Sequence, residues 1–433
     1  MRKRALLALL VVLAIVVAAC GGDSGEEETT TTADSGAETT TTADSGGEET
    51  TTTAGGDEEP SGDAPESIVL GAVVPLTGPF AGGGAQVERG YRYGVEAINE
   101  AGGVFVEEYG VALPLELDLR DDASDPNQTT ALMEEMGDQD IVVYLGGFAS
   151  PLHAAGTAIA ERNQIPYLGV ATALQALHEQ GYQYYFSPFP KSPDIAVSVY
   201  ELLDTISEDI RPSRVGIFQE TTDWGEELGA LWEEEAANFG YEVVLRETYA
   251  PGSTDFTDII LQAQAADVEV LLSLPTPPDG FAIYQQMGEL GWKPPFNLVV
   301  RAADVPTWND LGAAGEGVLL SAGWHPALGF PGIEPMNERH IEEEGRPADP
   351  IVGGSYSLIQ IVADAIERAG TLDPQAVRDA IAATDMMTVA GQITFREDGT
   401  SPITNPLMQR IEGGVELVWP ADAATQELIY PSP

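Results

Sequence analysis

The sequence predicts an α/β fold built as two doubly wound parallel-sheet lobes, preceded by a polar leader. Short apolar runs alternate with helix-like segments from Ser67, the alternation restarts after "YQYYFSPFP", and a 433-residue chain with 43% hydrophobic side chains can bury two cores.

The first series reads "SIVLGAVVPL", helix from about Gln86, "LPLELDLRDD", helix from about Gln128, "IVVYLGG", helix from Pro151, "IPYLGV", helix from about Leu174. The second reads helix over about 194–206, "RVGIFQE", helix from Gly225, "YEVVLRETY", helix over about 255–265, "VEVLLSLP", helix from Gly280, "FNLVVRA". "GVLLSAGW", an amphipathic helix near Gly354–Ala369, "GQITF" and a hairpin "MQRIEGGVELVW" turning on Gly413 and Gly414 complete lobes already begun.

Ahead of these lobes, Arg2, Lys3 and Arg4 precede the apolar run Ala5 to Ala19 and then Cys20. That run is shorter than the roughly 20 residues a membrane span needs, and small residues precede the cysteine, so residues 1–20 read as a cleaved signal with Cys20 as the lipidation site. Cys20 is the only cysteine, which excludes an intrachain disulfide. Residues 21–66 repeat "TTTTADSG" and lack a core-forming pattern, so they read as a disordered, acidic, Thr-rich linker reaching about 40 Å.

The formal charge is -51. Past Glu66 there are 56 acidic against 16 basic side chains, a balance that argues against nucleic acid as a partner. It suits a salty exterior, where screening relieves self-repulsion.

Catalytic and nucleotide motifs fail on inspection. In "GPFAGGGAQVERG" no lysine follows the last glycine, and the third small residue of a dinucleotide loop is replaced by Val87. His153, His178, His325 and His340 lack metal-ligand spacing, "GGSYS" misses the last glycine of a nucleophile elbow, and "RDDASDPN" lacks calcium-loop spacing and reads as a loop capping a helix. No metal, cofactor or enzymatic activity is expected. The strand-to-helix junctions carry more: Ser150 before Pro151 reads as a helix N-cap, and Thr172 stands in the same relation to the next helix, at strand ends where free N–H groups favour an anionic ligand group.

The segments "IVLGAVVPLTGPFAGGGAQVERGYRYGVEAINEAGGV", "LDLRDDASDP", "VVYLGGFAS", "IPYLGVATA", "YSLIQIVADAIERAG" and "GQITFREDG" resemble, in order and spacing, the solute-binding lipoproteins of branched-chain amino acid ABC transporters, the leucine/isoleucine/valine-binding family with the type I periplasmic binding fold. The resemblance implies two lobes joined by a three-crossing hinge near Pro188–Pro193, Leu320–Trp324 and Val389–Gln392, with one lobe from 68–188 plus 324–390 and the other from 189–323 plus 391–433. It implies a ligand carboxylate held at Ser150, Ala171 and Thr172, with Phe80 and Gly82 bordering the cleft, and Trp224 and Thr276 facing it from the second lobe. Where the family places an acidic residue for the ligand ammonium, Val300 and Arg301 stand here, and Asp304 follows; a buried arginine favours a carboxylate or another acceptor. The three glycines Gly82 to Gly84 suggest room for a solute larger than leucine, or a loop that moves.

The implied function is capture of a small amino-acid-like or carboxylate-bearing solute by a lipid-anchored extracytoplasmic receptor. The implied partners are an ABC permease and its ATPase subunits. A sensor feeding a signalling receptor, and less so an exported hydrolase, are the alternatives.

Overall fold

The computed structural model describes residues 64–433; the expected signal, Cys20 and nearly all of the expected linker lie outside the described residues. Strand β1 (Ile68–Val74), helix α1 (Ala81–Glu100), a hairpin of β2 (Val104–Val106) and β3 (Val111–Leu113), β4 (Leu115–Asp121), α2 (Pro126–Met136), β5 (Ile141–Leu145), α3 (Ser150–Asn163), β6 (Tyr167–Leu168) and β7 (Tyr185–Phe186) build the first lobe. Its five strands run parallel in the order β4-β1-β5-β6-β7.

The second lobe follows with α4 (Ser192–Asp204), β8 (Arg214–Glu220), α5 (Asp223–Phe239), β9 (Glu242–Tyr249), α6 (Thr257–Ala265), β10 (Val270–Leu274), α7 (Pro277–Glu289), β11 (Phe296–Val299) and β12 (Leu319–Leu320). The chain then returns to the first lobe through α8 (Ile333–Glu344), α9 (Val352–Ala369), α10 (Pro374–Ala382) and the hairpin β13 (Asp385–Thr388) and β14 (Gly391–Thr394). Strands β15 (Leu407–Ile411) and β16 (Gly414–Trp419) finish the second sheet, ordered β16-β15-β12-β11-β10-β8-β9, with β15 and β16 antiparallel.

Stripped of β15 and β16, both sheets have the same winding, in which the second parallel strand lies outside the first and the rest follow on its other side. In each lobe the strand order reverses between the first and third parallel strands: β1 and β5 in one, β8 and β10 in the other. Loops leaving the carboxyl ends of strands at such a reversal form a crevice open to ligand.

Sequence chemistry explains the elements. β1 and β5 are buried nearly end to end and read as continuous apolar runs, as strands covered on both faces must. Helix α1 begins at Ala81, earlier than Gln86, because the glycines enter its first turn. Farther along, Gly90 and Gly94 lie one turn apart and face α9, where an added Cβ would press on Ser355 and Ile359; their bareness lets the two helices pack closely. The helix expected from Leu174 is a short 3-10 segment, Gln175–Gln180. The last hairpin turns on Glu412 and Gly413, both at positive φ, rather than on the two glycines, since Ile411 pairs with Gly414.

The third crossing also lies later than expected. β14 pairs with β13, so the chain passes to the second sheet between Thr394 and Leu407 and not near Val389–Gln392. Asn405 anchors that stretch: its Nδ2 donates to Ser198 Oγ (2.7 Å) and its Oδ1 accepts from Ser321 Oγ (2.8 Å). Among the described residues no helix is long and apolar enough to cross a membrane.

Candidate functional site

Loops from the carboxyl ends of both sheets meet around a small, nearly closed pocket of about 20 Å³. Phe148 and Ala171 line it from the first lobe, Trp224, Arg301 and Asp304 from the second, and Phe189 from the first crossing. A larger space, about 600 Å³, opens between the end of α4 and the C-terminal tail, on residues that belong to neither strand reversal.

Arg301 is the centre of the site. It follows β11, is 3% exposed, and donates through Nη2 to both oxygens of Glu220 (2.9 and 2.8 Å) and through Nε to the Pro275 carbonyl (3.0 Å). Its guanidinium carbon lies 5.1 Å from the Phe80 ring of the first lobe and 5.1 Å from the Trp224 ring of the second. A planar cation between aromatic faces on opposite lobes is favourable when the lobes are together. Nη1 is buried with no hydrogen-bond partner. Trp224 is itself fixed by its indole N–H, which donates to Ser192 Oγ (3.1 Å).

Glu220 changes the electrostatics expected from the arginine alone, because it neutralises Arg301 within the pocket wall. Asp304 adds a second carboxyl; burial pushes its pKa up, while the Ala302 N–H (2.9 Å) and the charges of Arg410 and Arg301 oppose that rise. The site therefore offers an unpaired guanidinium edge and a carboxyl, so an ammonium is not repelled outright.

On the first lobe, Ser150 and Thr172 are buried next to the pocket lining and not part of it; the Ser150 hydroxyl has no partner, and the Thr172 hydroxyl has only that of Tyr185 beside it. Neither is the helix cap the sequence suggested. The N-cap of α3 is Ala149, with Ser150 its first residue, and the 3-10 segment after Thr172 starts from Leu174. Ala149, Ala171 and Ala302, on three loops around the pocket, hold φ of 81°, 52° and 100°. Positive φ in an alanine is strained by roughly 1 kcal/mol or more, and such strain clusters at binding sites.

The glycine loop is filled by protein. A Cβ on Gly82 would meet Val305 of the second lobe at 2.8 Å, and one on Gly83 would collide with the Phe148 ring. The glycines thus permit close approach of the lobes and leave no vacant space for a larger solute. Phe80 is the N-cap of α1, 9% exposed, with its ring 6.3 Å from Phe148. Thr276 is not brought to the pocket, because its hydroxyl accepts from Asp279 N and caps α7. The acidic loop after β4 is structural: Asp121 accepts from the Leu76, Thr77 and Ala123 N–H groups, and Asp125 caps α2. No group of residues suited to a metal occurs among the described residues.

Two further contacts join the lobes. Glu227 of α5 accepts the N–H groups of Gln175 and Ala176 (2.8 and 2.9 Å), and Gln86 of α1 donates to the Asp304 carbonyl (3.2 Å). Glu220, Glu227, Phe148 and Phe189 escaped the sequence reading. Only Glu220 carried a signal, as a charge ending the apolar strand "RVGIFQE".

The chain is similar to the Leu/Ile/Val-binding protein homolog 1 of Brucella suis, 24% identical over 360 residues that cover 82% of this chain and 93% of the relative. In fold it is similar to the branched-chain amino acid transporter substrate binding protein of Streptococcus pneumoniae in complex with isoleucine, with TM-score 0.71, 18% identity, and 84% of this chain and 100% of that one covered. It is also similar to an ABC transporter solute binding protein of R. palustris in complex with benzoate, with TM-score 0.70, 14% identity, and coverage of 85% and 97%. Residues 67–415, which take in the first lobe, the crevice and all but the end of the second sheet, match the family model for periplasmic binding proteins, and the chain belongs to the periplasmic binding protein family.

Proposed function

We propose that the protein is the extracytoplasmic, lipid-anchored solute receptor of an ABC importer, capturing a carboxylate-bearing, amino-acid-like solute between its lobes and presenting it to a permease driven by ATPase subunits. One observation carries the proposal: Arg301, buried between Phe80 and Trp224 of opposite lobes, keeps Nη1 unpaired at the pocket. A buried guanidinium edge with no acceptor is an unmet demand that a carboxylate satisfies with a charge-assisted hydrogen bond.

The buried hydroxyls of Ser150 and Thr172 supply further donors from the first lobe, and Asp304 supplies an acceptor for an ammonium. The aromatic rings offer apolar cover for the solute's body. The relatives' ligands, isoleucine and benzoate, share a carboxylate and an apolar body, which agrees with this donor set. Contacts on both lobes would shift the population toward the closed form, the state a permease distinguishes from the open one.

A thermal-shift and calorimetric screen of the purified protein against branched-chain amino acids, dicarboxylates, amides and aromatic acids tests the proposal. Saturable stabilisation by a carboxylate-bearing class is the expected result; no stabilisation by any class would overturn it.

A further inference from the structure

We propose that Lys191 is the counter-charge of the carboxylate site, a positioning residue that holds the first-lobe loop at Thr172 and makes capture of a solute carboxylate take up a proton. The inference rests on the receptor function proposed above. Lys191 and Lys293 are the only lysines beyond residue 20, and Lys191 stands in the first crossing, 2% exposed. Its Nζ donates to the Thr172 carbonyl (2.9 Å) and to Ser187 Oγ (2.7 Å), and it forms no ion pair among the described residues. Ala171 and Ala173, flanking Thr172, line the pocket, as does Phe189 two residues before Lys191. A buried lysine in no direct ion pair among the described residues thus backs the loop that carries Thr172.

Burial pushes the Lys191 pKa down to about 7, while Asp194 of α4, Asp398 of the third crossing and Glu227 of α5 pull it back. His178 of the 3-10 segment and His153 of α3 also feel its charge, and burial holds both down to about 3, so they stay neutral through the window in which Lys191 titrates. Tyr185, on the strand before the crossing, is pushed up by burial and is neutral there too. A carboxylate entering the pocket favours the ammonium, raises the Lys191 pKa and draws one proton from solvent onto Nζ. Above pH 7 that proton must be supplied, so affinity falls as pH rises.

Titration calorimetry of the full chain with isoleucine, leucine, benzoate and succinate, at pH 6.5, 7.5 and 8.5 in two buffers of different ionisation enthalpy, counts the protons directly. The expected result is uptake of a substantial fraction of a proton at pH 8.5, with affinity about tenfold weaker than at pH 6.5. In Lys191→Met both the uptake and the pH dependence disappear, an outcome that a merely structural lysine would not produce. Without solute, the stability of wild type relative to Lys191→Met should climb between pH 7 and about 10, where the unfolded lysine holds its proton and the folded one has lost it. Binding with no proton uptake in wild type, or a flat stability difference, overturns the role of Lys191 alone. Absence of binding by all four probes overturns it together with the receptor function.

Discussion

Removing Arg301 tests whether its charge serves the fold or the solute, and the structure separates the two. The Glu220 carboxylate, 1% exposed, receives both of its arginine hydrogen bonds from Nη2 at 2.8–2.9 Å. With charge centres about 4 Å apart and an effective dielectric near 20, their attraction is about 4 kcal/mol, in line with the 3–5 kcal/mol lost when one partner of a buried pair is deleted. Arg301→Met should therefore lower the unfolding free energy by about 3 kcal/mol, read by urea denaturation, mainly because Glu220 is left buried and uncompensated. Arg301→Met/Glu220→Gln should recover most of that loss, giving a coupling energy of at least about 2 kcal/mol in the double-mutant cycle. The double variant should still bind a carboxylate solute more than tenfold more weakly, because the unpaired Nη1 edge is gone. Additive stability losses would refute the pairing, and restored stability with wild-type affinity would place Arg301 outside the solute site.

Gly82→Ala adds a methyl group that meets Val305 at 2.8 Å, so solute affinity should fall about tenfold with little change in stability, and Val305→Ala should restore it in calorimetry. Trp224→Phe deletes the indole donor to Ser192 and weakens the cover over Arg301; solute binding should weaken severalfold, and the fluorescence change on binding should shrink. His153 and His178 are held neutral by burial with pKa values near 3, so the unfolded chain binds more protons below about pH 6.5. Stability is thus complete above that pH and lost progressively as pH falls toward 3; His153→Gln should flatten the decline in acid unfolding curves. The acidic excess outside the leader should make the protein more stable in molar salt than in dilute buffer, and equal melting temperatures would dismiss that reading.

The winding of both lobes was legible because period and punctuation are local: short apolar runs rich in Val and Ile, such as Ile68–Val74 and Ile141–Leu145, read as covered strands. The third crossing was misplaced because "GQITF" reads as a strand, and nothing local says whether β14 pairs with β13 or joins the second sheet. At the site, residue types were legible and partnerships were not. Arg301 stood out in the sequence, but Glu220 lies 81 positions away, and only the alignment of the β8 and β11 ends on either side of β10 brings them together. Ser150 and Thr172 were singled out as helix caps placed to hold a ligand carboxylate; that their hydroxyls cap no helix depends on three-dimensional surroundings.

Those surroundings bear on how the cleft works. At several helix ends the backbone demands are met in the ordinary way: Thr222 and Asp373 cap their helices, and Gly240 and Gly370 end theirs in left-handed conformations. Non-glycine residues at positive φ and unmatched buried atoms occur elsewhere too, at Gln164, Glu412 and Trp232 for example, but several gather around the pocket: alanines at 149, 171 and 302 hold positive φ, and Ser150, Thr172 and Arg301 each leave a buried polar atom unmatched. These penalties fall in the closed arrangement and on loops from both lobes. Opening would let water reach the unpaired atoms, whereas a solute carboxylate would satisfy them without opening. The unmet hydrogen bonds therefore weigh against closure of the empty protein and reward closure of the loaded one, which is the bias the proposed delivery role requires.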